Sequence, residues 1–307
     1  MKIFDAHCDV LMKLFNNPKE NFLTSPALQV TKHGMERAGV KIQLFAIYVP
    51  EAVYHSLQFE AALAMVQLFY EKIIHEAGLK LILDKEDIRK LGKDDIGAIL
   101  TLEGCDSIGG NVLKLKTLLR LGVTSVGLTW NWANLVADGA LETRGAGLTK
   151  FGKEVINILE SQKVWLDVSH LSERAFWEVI DLHSNPIASH SNSRKMMNHP
   201  RNLTDDQLKA LFLKKSIIGI TFVPEFLTEK SEASIQDIMK HIEHICTLGG
   251  SRHIGFGSDF DGTDKVVKGL ENVSQYDNLV NQLLIYYPES VVRGFLYENF
   301  VSAYLEK

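Results

Sequence analysis

The feature that most limits the fold is a regular alternation of short apolar runs with longer segments of helical spacing. Several runs are apolar at consecutive positions, which is typical of parallel strands buried on both faces. A ninth run, Leu79–Leu83, is interpreted as an extra element before the third strand. The eight predicted strands are Ile3–His7, Lys41–Val49, Ile96–Leu102, Val123–Thr129, Val164–Ser169, Pro186–Ser189, Ile217–Phe222 and His253–Ser258.

The segments between these runs carry helix signals. Ser172 is predicted to cap one helix, and Asp205 and Asp206 favour the positive end of another. The predicted helices are Tyr54–Ala77, Leu113–Leu121, Leu148–Gln162, Ser172–Leu182, Thr204–Leu213, Ser234–Leu248 and Pro288–Leu305. Eight strands followed by helices predict an α/β fold, a (β/α)8 TIM barrel, with residues 1–307 as a single domain. A doubly wound open sheet is the alternative, but no GxGxxG motif follows the first strand to support a dinucleotide-binding version.

Composition excludes some classes of function. The net charge is -5 with acids and bases mixed along the chain, so nothing indicates a nucleic-acid partner or a membrane-surface helix. Three cysteines without a CxxC motif are typical of a reducing compartment. The start of the chain has no long apolar signal segment, and no run approaches the roughly 20 apolar residues that span a bilayer. The prediction is a cytoplasmic protein.

Polar residues of the kinds that bind metals follow five of the predicted strands. In a TIM barrel the carboxyl ends of all strands face one mouth, where catalytic residues gather. We therefore expect these side chains to meet in one small volume. They are His7, Asp9, Glu103, His170, His190 and Asp259.

The residue types predict a centre of two metal ions. His7 and Asp9 are two positions apart, so in a strand they point to the same side. Zinc accepts imidazole nitrogen and carboxylate oxygen together. Glu103 could bridge two ions with its two oxygens, and His170 and His190 would complete the second site. Each residue alone has a structural interpretation, such as a turn role for the aspartates; the combination at five strand ends favours the metal centre.

His241 and His244 are three residues apart on a predicted helix without a companion carboxylate at a suitable distance, so they are interpreted as surface residues. His33, His55, His75 and His183 are likewise interpreted as solvated.

Several motifs together resemble those of the membrane dipeptidase family, peptidase family M19, in the metal-dependent amidohydrolase superfamily. The resemblance runs from His7 to Asp261. The motifs are DAHCDVL near the start, LEG, DVSH, ASHSN, NHPRNLTDDQL and IGFGSDFDG. It implies a zinc-dependent dipeptidase on a metal-dependent hydrolase barrel, which cleaves small dipeptides through a hydroxide that bridges two metal ions. It also implies a homodimer.

The resemblance implies a role for each matched residue. His7 and Asp9 would bind one zinc ion, and Glu103 would bridge the two ions of each chain. His170 and His190 would bind the second ion.

Two further matches concern the substrate. Asp259 matches the aspartate that contacts the substrate amine and transfers the proton. Arg201 matches the arginine that holds the terminal carboxylate, for which a guanidinium fork is suited. A surface ion pair is the ordinary alternative for Arg201.

One position departs from the best-known animal members, which carry a histidine after the fourth strand that contacts the scissile group. Trp130 takes the matching place here, and Asn131 or Asn134 is predicted to contact the substrate instead. Two other functions remain open. One is a different amidohydrolase, such as a deacylase, lactonase or phosphotriesterase-like enzyme; many of these use a carboxylated lysine as the bridge, and no lysine ends the fourth strand. The other is a non-catalytic metal-binding barrel.

Overall fold

Eight parallel strands form a ring in the computed structural model, which describes residues 1–306, and a further short strand, β3, pairs with β4 outside the ring. The strands in chain order are β1 Ile3–Asp5, β2 Val40–Tyr48, β3 Lys80–Leu81, β4 Gly97–Glu103, β5 Val123–Gly127, β6 Trp165–Asp167, β7 Pro186–Ile187, β8 Ile218–Ile220 and β9 Ile254–Phe256. Their order around the barrel is β7-β6-β5-β4-β2-β1-β9-β8. A parallel bridge between Ala188 and Ile218 joins the two ends. The predicted TIM barrel is confirmed, and the open sheet is wrong.

The extra run before the third barrel strand is confirmed as β3. It lies beside the first residues of β4, with Lys80 opposite Gly97. Most observed strands are shorter at their carboxyl ends than predicted. β1, which was predicted to reach His7, ends at Asp5, although a parallel bridge joins Cys8 to Phe260 beyond it.

Helices surround the barrel. They are α1 Val10–Asn16, α2 Lys32–Ala38, α3 Gln58–Leu68, α4 Lys85–Lys90, α5 Val112–Arg120, α6 Lys150–Ser161, α7 Glu173–Leu182, α8 Asp205–Leu213, α9 Pro224–Leu227, α10 Ile235–Thr247, α11 Tyr276–Tyr286, α12 Glu289–Arg293 and α13 Asn299–Glu306. The predicted cap is confirmed, since the Ser172 side chain accepts a hydrogen bond from the Ala175 amide. The sequence did not predict α1, α2, α4, α9 or α11. Four of these have at most seven residues, too few turns for a clear periodicity.

Two predicted helices change type along their length. The one predicted from Tyr54 to Ala77 is a short 3-10 turn, then α3, then a π-helical stretch at Phe69–Glu76. The one predicted from Pro288 contains a π-helical stretch at Gly294–Glu298, between α12 and α13.

The apolar core has two parts, and neighbouring residues of a strand alternate between them. Ile3 belongs to the larger part, between strands and helices, whereas Phe4 belongs to a smaller cluster at the amino-terminal end of the barrel. The last helix covers that end: the rings of Phe4 and Phe300 stack with centroids 4.8 Å apart. The opposite, carboxyl ends of the strands are therefore the open mouth. Across residues 1–306, no helix has the length and apolar character needed to cross a membrane.

Candidate metal centre

The predicted metal ligands lie together at the barrel mouth, and they are almost fully buried. Ligand atoms of His7, Glu103 and His190 lie within 4.8 Å of one another. The same holds for His7, Asp9 and Asp259. His170 joins the first group, since its Nε2 lies 3.0 Å from Glu103 Oε1. The structure thus brings together residues from four strand ends and the loop after β9.

Glu103 stands between the two groups and turns one oxygen towards each. Its Oε2 lies 3.5 Å from His7 Nε2. Its Oε1 lies 3.0 Å from His170 Nε2 and 3.4 Å from His190 Nε2. A carboxylate with its oxygens aimed at separate sets of nitrogen donors has the geometry of a bridge between two cations.

Hydrogen bonds determine which ring nitrogen carries the proton in the two histidines beside Glu103. His170 Nδ1 donates to Asn131 Oδ1 at 2.8 Å. The hydroxyl of Ser189 donates to Asp167, so Ser189 Oγ accepts from His190 Nδ1 at 2.7 Å. Both rings therefore present an Nε2 lone pair, and these two atoms are 2.8 Å apart. Two facing lone pairs repel each other unless a cation lies beside them, which is how imidazoles bind metal.

Burial keeps both rings neutral. It lowers the pKa of His170 to about 3, with the positive charge of Arg201 acting in the same direction. Burial also lowers the pKa of His190 well below its ordinary value, and the charge of His7 adds to this effect. Neutral imidazole is the form that binds a metal ion.

Three carboxylates share this small volume. Burial raises the pKa of Asp259 well above its usual range; His7 opposes this, and the charges of Asp9 and Glu103 add to it. Within residues 1–306, His7 Nε2 and Asp9 Oδ1 are buried and have no hydrogen-bond partner. Clustered carboxylates and buried polar atoms without partners are costly in a protein interior, and bound cations offset such a cost. The donor set fits a metal centre.

Unusual backbone conformations occur at the same place. His170 has a φ of 68° and Asp259 a φ of 64°, in the left-handed region that non-glycine residues rarely adopt. Such strain collects at functional sites, where the surrounding structure holds it. Gly262 packs so closely against the carboxylates of Asp9 and Asp259 that a Cβ would collide with both. The glycine of the DFDG motif is thus required by close approach.

Two buried aspartates hold the strand ends that carry the ligands. Asp5 accepts hydrogen bonds from the Ser258 amide at 2.9 Å and the Tyr276 hydroxyl at 2.8 Å. Asp167 accepts from the Ser189 amide at 2.9 Å. Each aspartate ties its own strand to a neighbouring one. Both appear in the strand-end motifs, but a local pattern does not indicate these partners, which are distant along the chain.

Arg201 is buried at 3% exposure instead of forming the surface ion pair considered as its alternative. Its Nη2 donates to the His190 carbonyl at 3.1 Å, and its guanidinium lies 5.2 Å from the Phe226 ring centroid. Its Nε has no hydrogen-bond partner within residues 1–306. Burial lowers its pKa to about 10, against the opposing charges of Asp259 and Glu103. Arg201 stays charged at neutral pH and has a free donor.

Arg201 faces a cavity of about 320 Å³ that also includes part of the metal centre. Among the lining residues are Asp9, Glu103, His170 and Asp259. A ligand held by Arg201 would therefore also meet the candidate metal ligands.

The segment after β5 contains Asn131 and Asn134, one of which was predicted to contact the substrate. Asn131 lines the cavity, but its side-chain oxygen already accepts a hydrogen bond from His170. Asn134 donates to Asp106 and to the Leu128 carbonyl, and its oxygen accepts from two backbone amides. Its hydrogen-bonding groups are thus engaged by its own loop and by Asp106 after β4, and nothing favours Asn134 over Asn131 as the group near the scissile bond. Trp130 lies 5.2 Å from Tyr48 between ring centroids, and sequence reasoning had not singled out Tyr48.

Two histidines interpreted as surface residues are buried. His241 has no exposed surface; its Nδ1 accepts from the Ser193 amide and its Nε2 lies 3.1 Å from the Leu227 carbonyl. His183 is 3% exposed, and its Nε2 lies 3.3 Å from Glu160. The interpretation was wrong for both, because helical spacing does not show which loops pack over a helix.

Comparisons with known proteins agree with this geometry. The family described as Membrane dipeptidase (Peptidase family M19) matches residues 1–306. An uncharacterized protein from Klebsiella pneumoniae is 32% identical over 75% of this chain and 89% of its own length. An uncharacterized dipeptidase from Schizosaccharomyces pombe is 31% identical over 76% of this chain, and the match spans 57% of that longer protein.

Two solved structures superpose over nearly the whole chain. One is a dipeptidase described as a metallopeptidase of family M19, with a TM-score of 0.92 and 26% identity, covering 99% of this chain and 97% of its own. The other is a metallopeptidase from Rhodobacter sphaeroides bound to a phosphinate mimic of the dipeptide L-Ala-D-Ala, with a TM-score of 0.91 and 26% identity, covering 100% and 99%. The chain therefore belongs to the membrane dipeptidase family, peptidase family M19, and is a metallo-dipeptidase.

Proposed function

We propose that this protein is a zinc-dependent dipeptidase that holds two zinc ions per chain, bridged by Glu103. The observation that carries the proposal is the placement of Glu103, whose two oxygens face His7 on one side and the pair His170 and His190 on the other. In this proposal His7 and Asp9 hold one ion. When bound, the zinc pair would supply Lewis acidity and a hydroxide nucleophile at neutral pH.

Arg201 would bind the terminal carboxylate of the dipeptide. It is buried, it carries a positive charge, and its Nε is unpaired and close to the metal ligands. A carboxylate would satisfy that donor and offset the charge with two parallel hydrogen bonds. Fixing one end of the substrate also places the peptide bond beside Glu103, which converts binding energy into orientation.

Asp259 would contact the free amine of the dipeptide and move the proton. Its Oδ1 lies 3.9 Å from His7 Nε2, at the edge of the same cluster, and it lines the cavity of Arg201. Burial raises its pKa, and a carboxylate with a raised pKa is a stronger proton acceptor. In this role it would take a proton from the attacking water and deliver it to the departing amine.

Asn131 lines the cavity, and its side-chain oxygen accepts a hydrogen bond from His170 Nδ1 at 2.8 Å. A contact between its amide nitrogen and the substrate stays a prediction.

The decisive experiment measures bound metal and dipeptide hydrolysis together. Purified protein is analysed for zinc and assayed on L,L and L,D dipeptides, including L-Ala-D-Ala because the Rhodobacter sphaeroides neighbour binds a mimic of it. We expect about two zinc ions per chain, hydrolysis that a chelator abolishes, and recovery when zinc is restored. Activity that survives complete metal removal would contradict the proposal, and zinc binding without turnover of any amide would favour a non-catalytic barrel.

A second arm tests the carboxylate site. Dipeptide amides lack the terminal charge, so they should be poor substrates for the wild-type protein. The Arg201→Lys variant should lose roughly 10- to 100-fold in kcat/KM on free dipeptides but little on the amides, because it removes a contact that the amides never make. Equal losses on both substrates would assign Arg201 to the fold instead.

A further inference from the structure

A second cavity, of about 280 Å³, adjoins the candidate metal centre on the side away from Arg201. Tyr48, Glu103 and Trp130 line both this cavity and that of Arg201. The two cavities are therefore lobes of one cleft, with Glu103 at the junction. We call the lobe on the far side the acidic lobe.

Carboxylates dominate the charge of the acidic lobe. Among residues 1–306, Glu51 and Asp106 line it together with Glu103 and the imidazole of His55, whereas no lysine or arginine does. Within the described chain, neither Glu51 nor Asp106 forms an ion pair. Asp106 is half-buried and receives one side-chain hydrogen bond, from Asn134 at 3.2 Å. Burial raises its pKa, which reflects a carboxylate poorly compensated by its surroundings.

A buried hydroxyl in the same wall is also unpaired. Ser107 is 2% exposed and lines the acidic lobe. Its Oγ has no hydrogen-bond partner within residues 1–306. Unpaired buried polar groups are rare in folded proteins, and one that lines a cavity is suited to a polar ligand.

Aromatic rings complete the lobe. Tyr48 and Trp130 lie at its junction with the metal centre, 5.2 Å apart, and Trp132 is half exposed at its rim. Ring faces beside carboxylates attract cations carried on aliphatic stems, which pack against the rings.

We infer that the acidic lobe receives the side chain of the dipeptide's N-terminal residue and favours a cationic side chain, that of lysine or arginine. The inference rests on the proposed function. With the terminal carboxylate at Arg201 and the peptide bond at Glu103, the N-terminal residue lies next to this lobe. The long aliphatic stem of lysine or arginine would fit the acidic lobe, and its charged end would reach Asp106 and Glu51. Ser107 then accepts a hydrogen bond from the ammonium or guanidinium group.

Matched substrates test the inference on the zinc-loaded protein. Lysyl-alanine and norleucyl-alanine have side chains of similar length, and only the first is charged. Glutamyl-alanine carries the opposite charge. The alanine is of whichever configuration the enzyme cleaves faster. We expect kcat/KM for lysyl-alanine to exceed that for norleucyl-alanine roughly tenfold, with glutamyl-alanine lowest.

Variants then locate the preference. Asp106→Asn and Glu51→Gln keep the shape and remove the charge, and each should reduce the lysine-to-norleucine ratio severalfold. Asp94→Asn is the matched control, because Asp94 is exposed before the start of β4, at the other end of the barrel. It should leave the ratio unchanged. Thermal unfolding identifies a variant that fails to fold; Glu51 is exposed, so Glu51→Gln is expected to fold normally.

The outcomes separate the two proposals. Hydrolysis of neutral dipeptides with no preference for lysine would overturn the acidic lobe and leave the dipeptidase intact. A preference that neither variant changes would also overturn it. Failure to cleave any dipeptide with zinc bound would overturn the proposed function and the inference together.

Discussion

The two ends of the barrel are built from the same strands, but one end buries apolar side chains and the other buries charged ones. At the amino-terminal end, Phe4 stacks on Phe300, and Trp165 contacts Tyr304 with ring centroids 4.8 Å apart. These side chains are at most 2% exposed. At the mouth, the side chains are almost fully buried as well, but they are charged, and some of their polar atoms have no hydrogen-bond partner within residues 1–306.

The change happens within a few residues of one strand. Phe4 belongs to the smaller apolar cluster at the amino-terminal end, Asp5 ties strand ends together, and His7 belongs to the candidate metal centre. Apolar burial at one end stabilises the fold, and this stability offsets the repulsion among carboxylates at the other end. The comparison teaches that stability and chemistry are separated along the barrel axis, as in other TIM barrels.

The largest expected effect comes from the mouth. Glu103→Gln removes the charge shared by both halves of the cluster, so both zinc ions should be lost together. We expect kcat/KM to fall on the order of 10²–10³-fold, as when one charge-stabilising group of an active site is removed. Zinc content measured alongside activity is the check. Loss of a single ion per chain would show that Glu103 is not the bridge.

At the opposite end, Phe300→Ala should lower the free energy of unfolding by about 3–5 kcal/mol, because it empties a fully packed position. Chemical denaturation measures this change. The activity per mole of folded protein and the zinc content should stay at wild-type values. A large fall in activity of the folded variant would contradict the separation of the two ends.

The smallest expected effect lies beside the cluster. Asn131→Ala removes the acceptor that fixes the His170 ring, so zinc affinity should fall about 10- to 100-fold, as for other groups that orient metal ligands. Zinc titration measures it, and a rise in KM at saturating zinc would report the predicted substrate contact separately. Asn185→Ala, at an exposed position before β7, is the control. An unchanged zinc affinity with a raised KM would instead assign Asn131 to the substrate.

The class of fold and the candidate ligands could be predicted from the amino-acid pattern. Continuous apolar runs separated by helical segments predict parallel strands, and the period of a pattern is a local property that needs no knowledge of packing. Because strand ends of a barrel share one mouth, the polar residues after those runs could be expected to meet. His7, Glu103 and His190 do so, although they are far apart along the chain.

How those residues are engaged follows from the packing of the whole fold. That packing pairs Asn131 with His170, joins Asn134 to its own loop and to Asp106 and, within residues 1–306, buries Arg201 without an ion pair. It also buries His241 against a loop that precedes its helix. Each of these contacts joins segments whose separation in sequence carries no signal of distance. Hydrogen-bond partners and burial depend on how whole elements pack, so they follow from the closed barrel and not from the local pattern.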